Sequence, residues 1–179
     1  MWKAMQNPYQ NPVKKDGKNA LFVVCIGNEL VADDAAGHEV YTRLETMDLP
    51  PEARVEYTGL GGIDLLDRLR GDERVMIVVD AVQLGAAAGT IHVMPWEEIP
   101  SFGSESAISM HGIGLREAIH IGKILYPERI PPEIILVGIE GRCFNQMRDS
   151  MTPATAAATV EAAELIRSKL FTYREEPLI

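Results

Sequence analysis

The chain has 179 residues, 46% hydrophobic and 24% charged, which is ordinary globular usage and excludes wholesale disorder. A formal net charge of -9 excludes a surface built to grip nucleic-acid phosphates, which needs clustered Lys and Arg. Two cysteines are too few for a disulfide scaffold and fit a reducing cytoplasm. No apolar run reaches the roughly 20 residues of a membrane helix, so no membrane partner is expected.

Residues 1–19 carry Lys, Asn and Pro without the apolar segment of a secretion signal, and read as a flexible leader. ALFVVCIG (20–27) is a continuous apolar run, the pattern of a strand buried on both faces. DDAAGHEVYTRLETM (33–47) follows as a helix, with Val40, Leu44 and Met47 at helical spacing. ARVEYTG (53–59) reads as the second strand, and GGIDLLDRLRG (61–71) as a short helix closed by Gly71. RVMIVVDAV (74–82) is the third strand. GTIHVMP (89–95) alternates enough to be an exposed, antiparallel edge strand.

Residues 95–110 have the turn chemistry of a long loop. HGIGLREAIHIGKILYP (111–127) is helical from about Gly114 and stops before Pro127. PEIILVGIE (132–140) is the fifth strand, GRCFNQMRDSM (141–151) a second loop, and residues 152–171 a long helix. Thr152 suits its N-cap, with Pro153 at the first helical position. Strands alternating with helices predict an α/β, three-layer αβα sandwich on a mostly parallel sheet of about five strands. The expected organisation is a leader (1–19), one domain (20–171) and a short tail (172–179).

Ligands of open α/β sheets sit beyond the carboxyl ends of the strands. At that rim the sequence places Asn28, Asp33 and Asp34 after the first strand, and Gly59, Gly61 and Gly62 after the second. Asp80 ends the third, Glu140 ends the fifth, and His111 opens the helix after the long loop. Asp33 or Asp34 is either a helix cap or a ligand. Asp80 is either a turn former or a ligand, since an apolar strand rarely finishes on a charge without a partner for it. His111 alone reads more simply as a helix-start residue bonded to a backbone carbonyl. Together, two carboxylates and one imidazole suit a divalent transition metal, zinc or nickel rather than magnesium. His38, His92 and His120 are poorer ligands by position. CIGNEL lacks the GxGxxG spacing and no Walker lysine, GxSxG or HExxH is present, which argues against nucleotide, serine-hydrolase and zincin chemistry.

IGNELVADDAAG, TGLGGIDLL, VVDAVQLGAAAGT, MHGIGL and LVGIEG occur in the order and approximate spacing of the [NiFe]-hydrogenase maturation proteases. Across about 21–171 the chain resembles that family. The resemblance implies a cytoplasmic endopeptidase whose partner is the precursor of a hydrogenase large subunit, and which removes its C-terminal extension after nickel insertion. It implies that Asp34, Asp80 and His111 are the catalytic and metal-contacting residues, with Asp33 a cap or a supporting residue. It further implies that Gly59, Gly61 and Gly62 bind substrate through backbone, although TGLGG lacks an acidic residue that the family usually carries there. A metal on these donors either polarises the scissile carbonyl or activates a water, or is nickel carried by the substrate and recognised there, the reading that the resemblance favours. Another divalent ion such as zinc or cadmium can take the same donors. Two other readings stand beside it. One is a metal-dependent hydrolase of other peptides or small molecules, the other a non-enzymatic nucleotide- or metal-binding module.

Overall fold

Uninterrupted runs of Val, Ile and Leu become the middle of a five-stranded sheet. The computed structural model describes residues 20–59, 62, 64–99, 112–147 and 150–175. The strands are β1 (Ala20–Cys25), β2 (Ala53–Tyr57), β3 (Glu73–Val82), β4 (Ile91–Pro95) and β5 (Glu133–Glu140), in the order β2-β1-β3-β5-β4. β1, β2, β3 and β5 run parallel, and β4 lies antiparallel on β5 at the edge. The helices are α1 (Ala36–Leu44), α2 (Asp64–Arg68), α3 (Gly112–Leu125) and α4 (Pro153–Glu175).

Alternation along each strand sends side chains to two cores. Leu21, Val23, Ile77, Val79, Val137 and Ile139 face one layer with Val40 and Leu44 of α1 and Ala158, Ala162 and Ile166 of α4. Phe22, Val24, Ile26, Met76, Val78 and Leu136 face the other, with Leu65 and Leu69 around α2 and Leu115 and Ile119 of α3. Each buried Val, Leu, Ile, Phe or Met among them contributes about 1.5–3 kcal/mol of burial free energy. That explains why the central strands read as continuous apolar runs while β4, only partly buried, alternates.

The chain leaves β1 through α1 toward β2, then returns through α2 on the opposite face to β3. The winding direction therefore switches between β1 and β3, the position where open α/β sheets form a crevice at their carboxyl edge.

Several boundaries move from those the sequence suggests. β1 stops at Cys25 and β2 at Tyr57, since Gly27 and Gly59 adopt positive φ (143° and 57°) and leave the strand conformation. β3 does not end on Asp80: Asp80, Ala81 and Val82 keep pairing with Gly138, Ile139 and Glu140 of β5. The helix placed at 33–47 is a 3-10 turn (Asp33–Ala35) followed by α1, which ends at Leu44. α3 begins at Gly112, and α4 continues to Glu175.

At the amino edge of the sheet, fully buried Glu73 accepts hydrogen bonds from the Arg70 and Gly71 amides (both 2.8 Å) and from Arg54 (2.7 Å). Arg54 also pairs with Glu56, which meets Arg68 at 2.7 Å, and its guanidinium lies 3.8 Å from the Phe22 ring centroid.

Candidate functional site

Gly27 and Gly37 explain how IGNELVADDAAG folds over the end of β1. A Cβ on Gly27 would come within 2.1 Å of the Asp34 carbonyl oxygen, and one on Gly37 within 1.9 Å of the Ile26 carbonyl oxygen. Only bare backbone at both positions lets the 3-10 turn and the start of α1 lie directly on the strand exit. The Ile26 amide donates to the Val79 carbonyl (2.8 Å) and the Gly27 amide to the Gly59 carbonyl (2.7 Å). The exits of β1, β2 and β3 are thereby tied side by side. Tyr57 adds a hydroxyl bond to the Gly27 carbonyl at 2.7 Å.

This frame buries Asp34, at 1% exposure. Its Oδ2 accepts the Asn28 amide at 3.1 Å. Asp80 is 3% exposed. It lies one step past Val79, the last β3 residue paired to β1, so β3 borders the crevice on that side while β5 still supports it on the other. Asp80 shares strand parity with Val78 and Val82, which face the layer of α2 and α3. The 3-10 turn that carries Asp34 packs against β3. Asp34, in the 3-10 turn after β1, and Asp80, on β3, thus both lie at the switch-point edge.

Gly59 and Gly62 both have positive φ, and a Cβ at either would meet nothing within 4 Å. Their backbone, not a packing constraint, asks for glycine there. The first turns of α3 abut this stretch, with Gly114 placing its Cβ position 3.6 Å from the Gly62 Cα. His111 and Gly61 lie outside the described residues. Among the described residues, no cluster of three His, Cys, Asp or Glu is arranged to hold a metal ion.

The sequence profile of a family described as hydrogenase maturation protease matches residues 39–169. The chain belongs to that family. It is 30% identical to the hydrogenase expression/formation protein HupM of Azotobacter chroococcum, over 87% of this chain and 76% of the relative. It is 29% identical to a putative hydrogenase maturation protease of Methanocaldococcus jannaschii, over 86% of this chain and 97% of the relative. Its fold superimposes on the hydrogenase maturating endopeptidase HybD of E. coli with a TM-score of 0.74 at 25% identity, covering 86% and 93% of the two chains. The protein is a peptidase of hydrogenase maturation, as the resemblance implied. The αβα architecture with one antiparallel edge strand is likewise borne out.

Within this protease the capping reading of the two aspartates fails. The residues at the cap positions of the 3-10 turn and of α1 are Ala32 and Ala35, and neither makes a side-chain cap bond. Asp33 instead accepts four hydrogen bonds from the far end of the chain. Its Oδ2 takes the amides of Arg142 (2.8 Å) and Cys143 (2.9 Å) and the Thr152 hydroxyl (2.7 Å), while Oδ1 takes the Thr152 amide (2.6 Å). Burial pushes the Asp33 carboxyl up. These donors outweigh it and hold the group below its ordinary pKa of 3.8.

Glu140 is also bound from outside its strand. It accepts the amides of Leu84 and Gly85 and meets His92 Nε2 at 3.0 Å, so His92 is engaged by a carboxylate. Glu29 is occupied by His38 Nε2 at 3.2 Å. Cys25 is buried in its strand, and burial pushes its thiol far above the usual range, so it offers no thiolate. Among the described residues, no helix is long and apolar enough to cross a membrane. The residues missed from sequence are donors that fix the rim: Tyr57, Arg142 and Cys143. Most act through backbone groups, which no side-chain pattern announces.

Proposed function

We propose that this protease removes the C-terminal extension of a [NiFe]-hydrogenase large-subunit precursor in the cytoplasm, and that Asp34, Asp80 and His111 recognise nickel already seated in that precursor. One observation carries the reading: two buried carboxylates, Asp34 in the turn that follows β1 and Asp80 on the neighbouring parallel strand β3, stand at the switch point of the sheet. Buried carboxylates are costly without donors or a cation to meet them. An oxygen pair completed by an imidazole is a donor set that borderline divalent metals accept. Nickel carried by the precursor would supply a Lewis-acidic centre within the substrate.

The chain's own groups then have separate tasks. Asp34 and Asp80 present anionic oxygens to the substrate's metal, and their burial fixes the direction of approach. Gly59, Gly61 and Gly62 are proposed to contact the extension through backbone, and a Cβ at Gly59 or Gly62 would meet nothing within 4 Å. Because the metal arrives with the substrate, the free protease is expected to bind divalent ions weakly, zinc and cadmium included.

The test uses a purified nickel-loaded precursor and a gel-shift readout. Asp34→Ala, Asp80→Ala and His111→Ala are each expected to abolish processing while unfolding as cooperatively as the parent. Normal cleavage by any two of the three defeats the assignment. Cleavage of unrelated peptides by the parent would point to a general metallohydrolase instead.

A further inference from the structure

We propose that Asp33 is a positioning residue for processing, acting through its neighbour Asp34, and that Thr152 forms the distal half of the same lock. The inference rests on the reading of Asp34 given above.

The segment that carries Asp34 is held to the 142–152 segment at several points. Val31 bridges to Met147, the Ala32 amide donates to the Gln146 carbonyl (3.1 Å), and the Asp33 amide donates to the Cys143 carbonyl (2.9 Å). The Asp33 carboxylate adds four more bonds, two of them to Thr152. It is fully buried, and it meets partners 109 to 119 residues away in the chain. Thr152 stands at the start of α4, where its carbonyl takes the first helical bond from Ala156 (2.9 Å).

A carboxylate with four donors has little freedom to move. Asp33 therefore pins the 3-10 turn between β1 below and α4 beside it. Asp34 is the next residue in that turn, so its oxygens inherit the fixed position. Misplacement of a reacting group by about 1 Å can cost on the order of 100-fold in rate. A lock this close to Asp34 is well placed to set turnover.

The experiment measures processing of nickel-loaded precursor by Asp33→Asn, Thr152→Val and Thr152→Ser, with Asp34→Ala as reference and thermal unfolding in parallel. Binding of a whole precursor rests on many contacts, so the loss should fall on kcat and leave KM within about twofold. Thr152→Val is expected to lower kcat about tenfold, and Thr152→Ser, which keeps the hydroxyl, to recover it to within about twofold of the parent. Asp33→Asn, which sets an amide group against amide donors, is expected to lower kcat about 100-fold.

The proposal is overturned if Thr152→Val turns over at the parental rate while Asp34→Ala is inactive. It is equally overturned if Thr152→Ser is as slow as Thr152→Val, or if the rate loss disappears at a temperature where both variants are fully folded. Parental activity in Asp34→Ala would remove the underlying reading, and this one with it.

Discussion

The two edges of the sheet both bury carboxylates, and they satisfy them differently. At the amino edge, Glu73 is met by the guanidinium group of Arg54, which also pairs with Glu56 of β2, itself bonded to Arg68, so the charge is balanced where it lies. At the carboxyl edge, Asp33, Asp34 and Glu140 take backbone amides, with one hydroxyl and one imidazole added. Amides stabilise a carboxylate without cancelling its charge. The first edge is thus held by guanidinium groups, whereas the carboxylates of the second meet amides, a hydroxyl and an imidazole. On the proposed reading, Glu73 and Glu56, met by arginines, are structural acids, and Asp34 and Asp80 are functional ones.

The sharpest way to break this contrast is to exchange the effects. Asp80→Ala should reduce processing by at least about 10³-fold, with little change in the unfolding midpoint. Glu73→Gln should do the reverse. It should destabilise the fold by about 3 kcal/mol, because Arg54 loses a buried partner, yet leave turnover per folded molecule near that of the parent. Urea unfolding and gel-shift kinetics on the same preparations check both. Equal effects on the two readouts at both edges would erase the distinction.

Between these extremes, Gly37→Ala probes the frame that joins fold to site. Its Cβ would meet the Ile26 carbonyl oxygen at 1.9 Å, so the loss of stability should exceed the roughly 1–3 kcal/mol of ordinary overpacking. Activity should fall with it, since the same contact seats the turn bearing Asp34. A midpoint in urea close to the parent's would show that the turn rests on something else.

The smallest expected effect is a pH dependence. Asp33 and Glu56 are both held below their ordinary values of 3.8 and 4.5. For Glu56, burial pushes the group up, and bonds and charge from Arg68 and Arg54 bring it down. A depressed folded-state pKa means that the stabilisation is complete above the unfolded-state value and fades as pH falls through the folded one. The thermal midpoint should therefore hold steady down to about pH 4.5 and drop below it. High salt should weaken the Glu56 contribution, which rests on ion pairs, more than that of Asp33, which rests on hydrogen bonds. Removing each with Glu56→Gln or Asp33→Asn and repeating the titration in salt separates them.

Much of the architecture was legible because one physical rule wrote it. Strands covered on both faces must be apolar where they are covered, and β1 and the middles of β3 (75–79) and β5 (134–139) are, while the partly covered β4 alternates and proved antiparallel. Asp34 and Asp80 stood out because they are charged at the ends of apolar runs. What the sequence could not convey were contacts between residues far apart in it. Asp33 looked like a local helix cap, since nothing in DDAAG announces donors more than a hundred residues downstream. Gly27 and Gly37 are spaced for no nucleotide motif, because their role is to let two backbone segments touch. Strand ends were overrun where positive-φ glycines follow an apolar stretch, since residue type alone does not fix where pairing stops.

The central claim is that the rim at Asp34 and Asp80 acts on a precursor through the nickel it carries. Parallel cleavage assays on nickel-loaded and nickel-free forms of one large-subunit precursor test it most directly. The account predicts release of the C-terminal extension from the loaded form alone, and from neither form by Asp34→Ala. Equal release from both forms by the parent protease would contradict it.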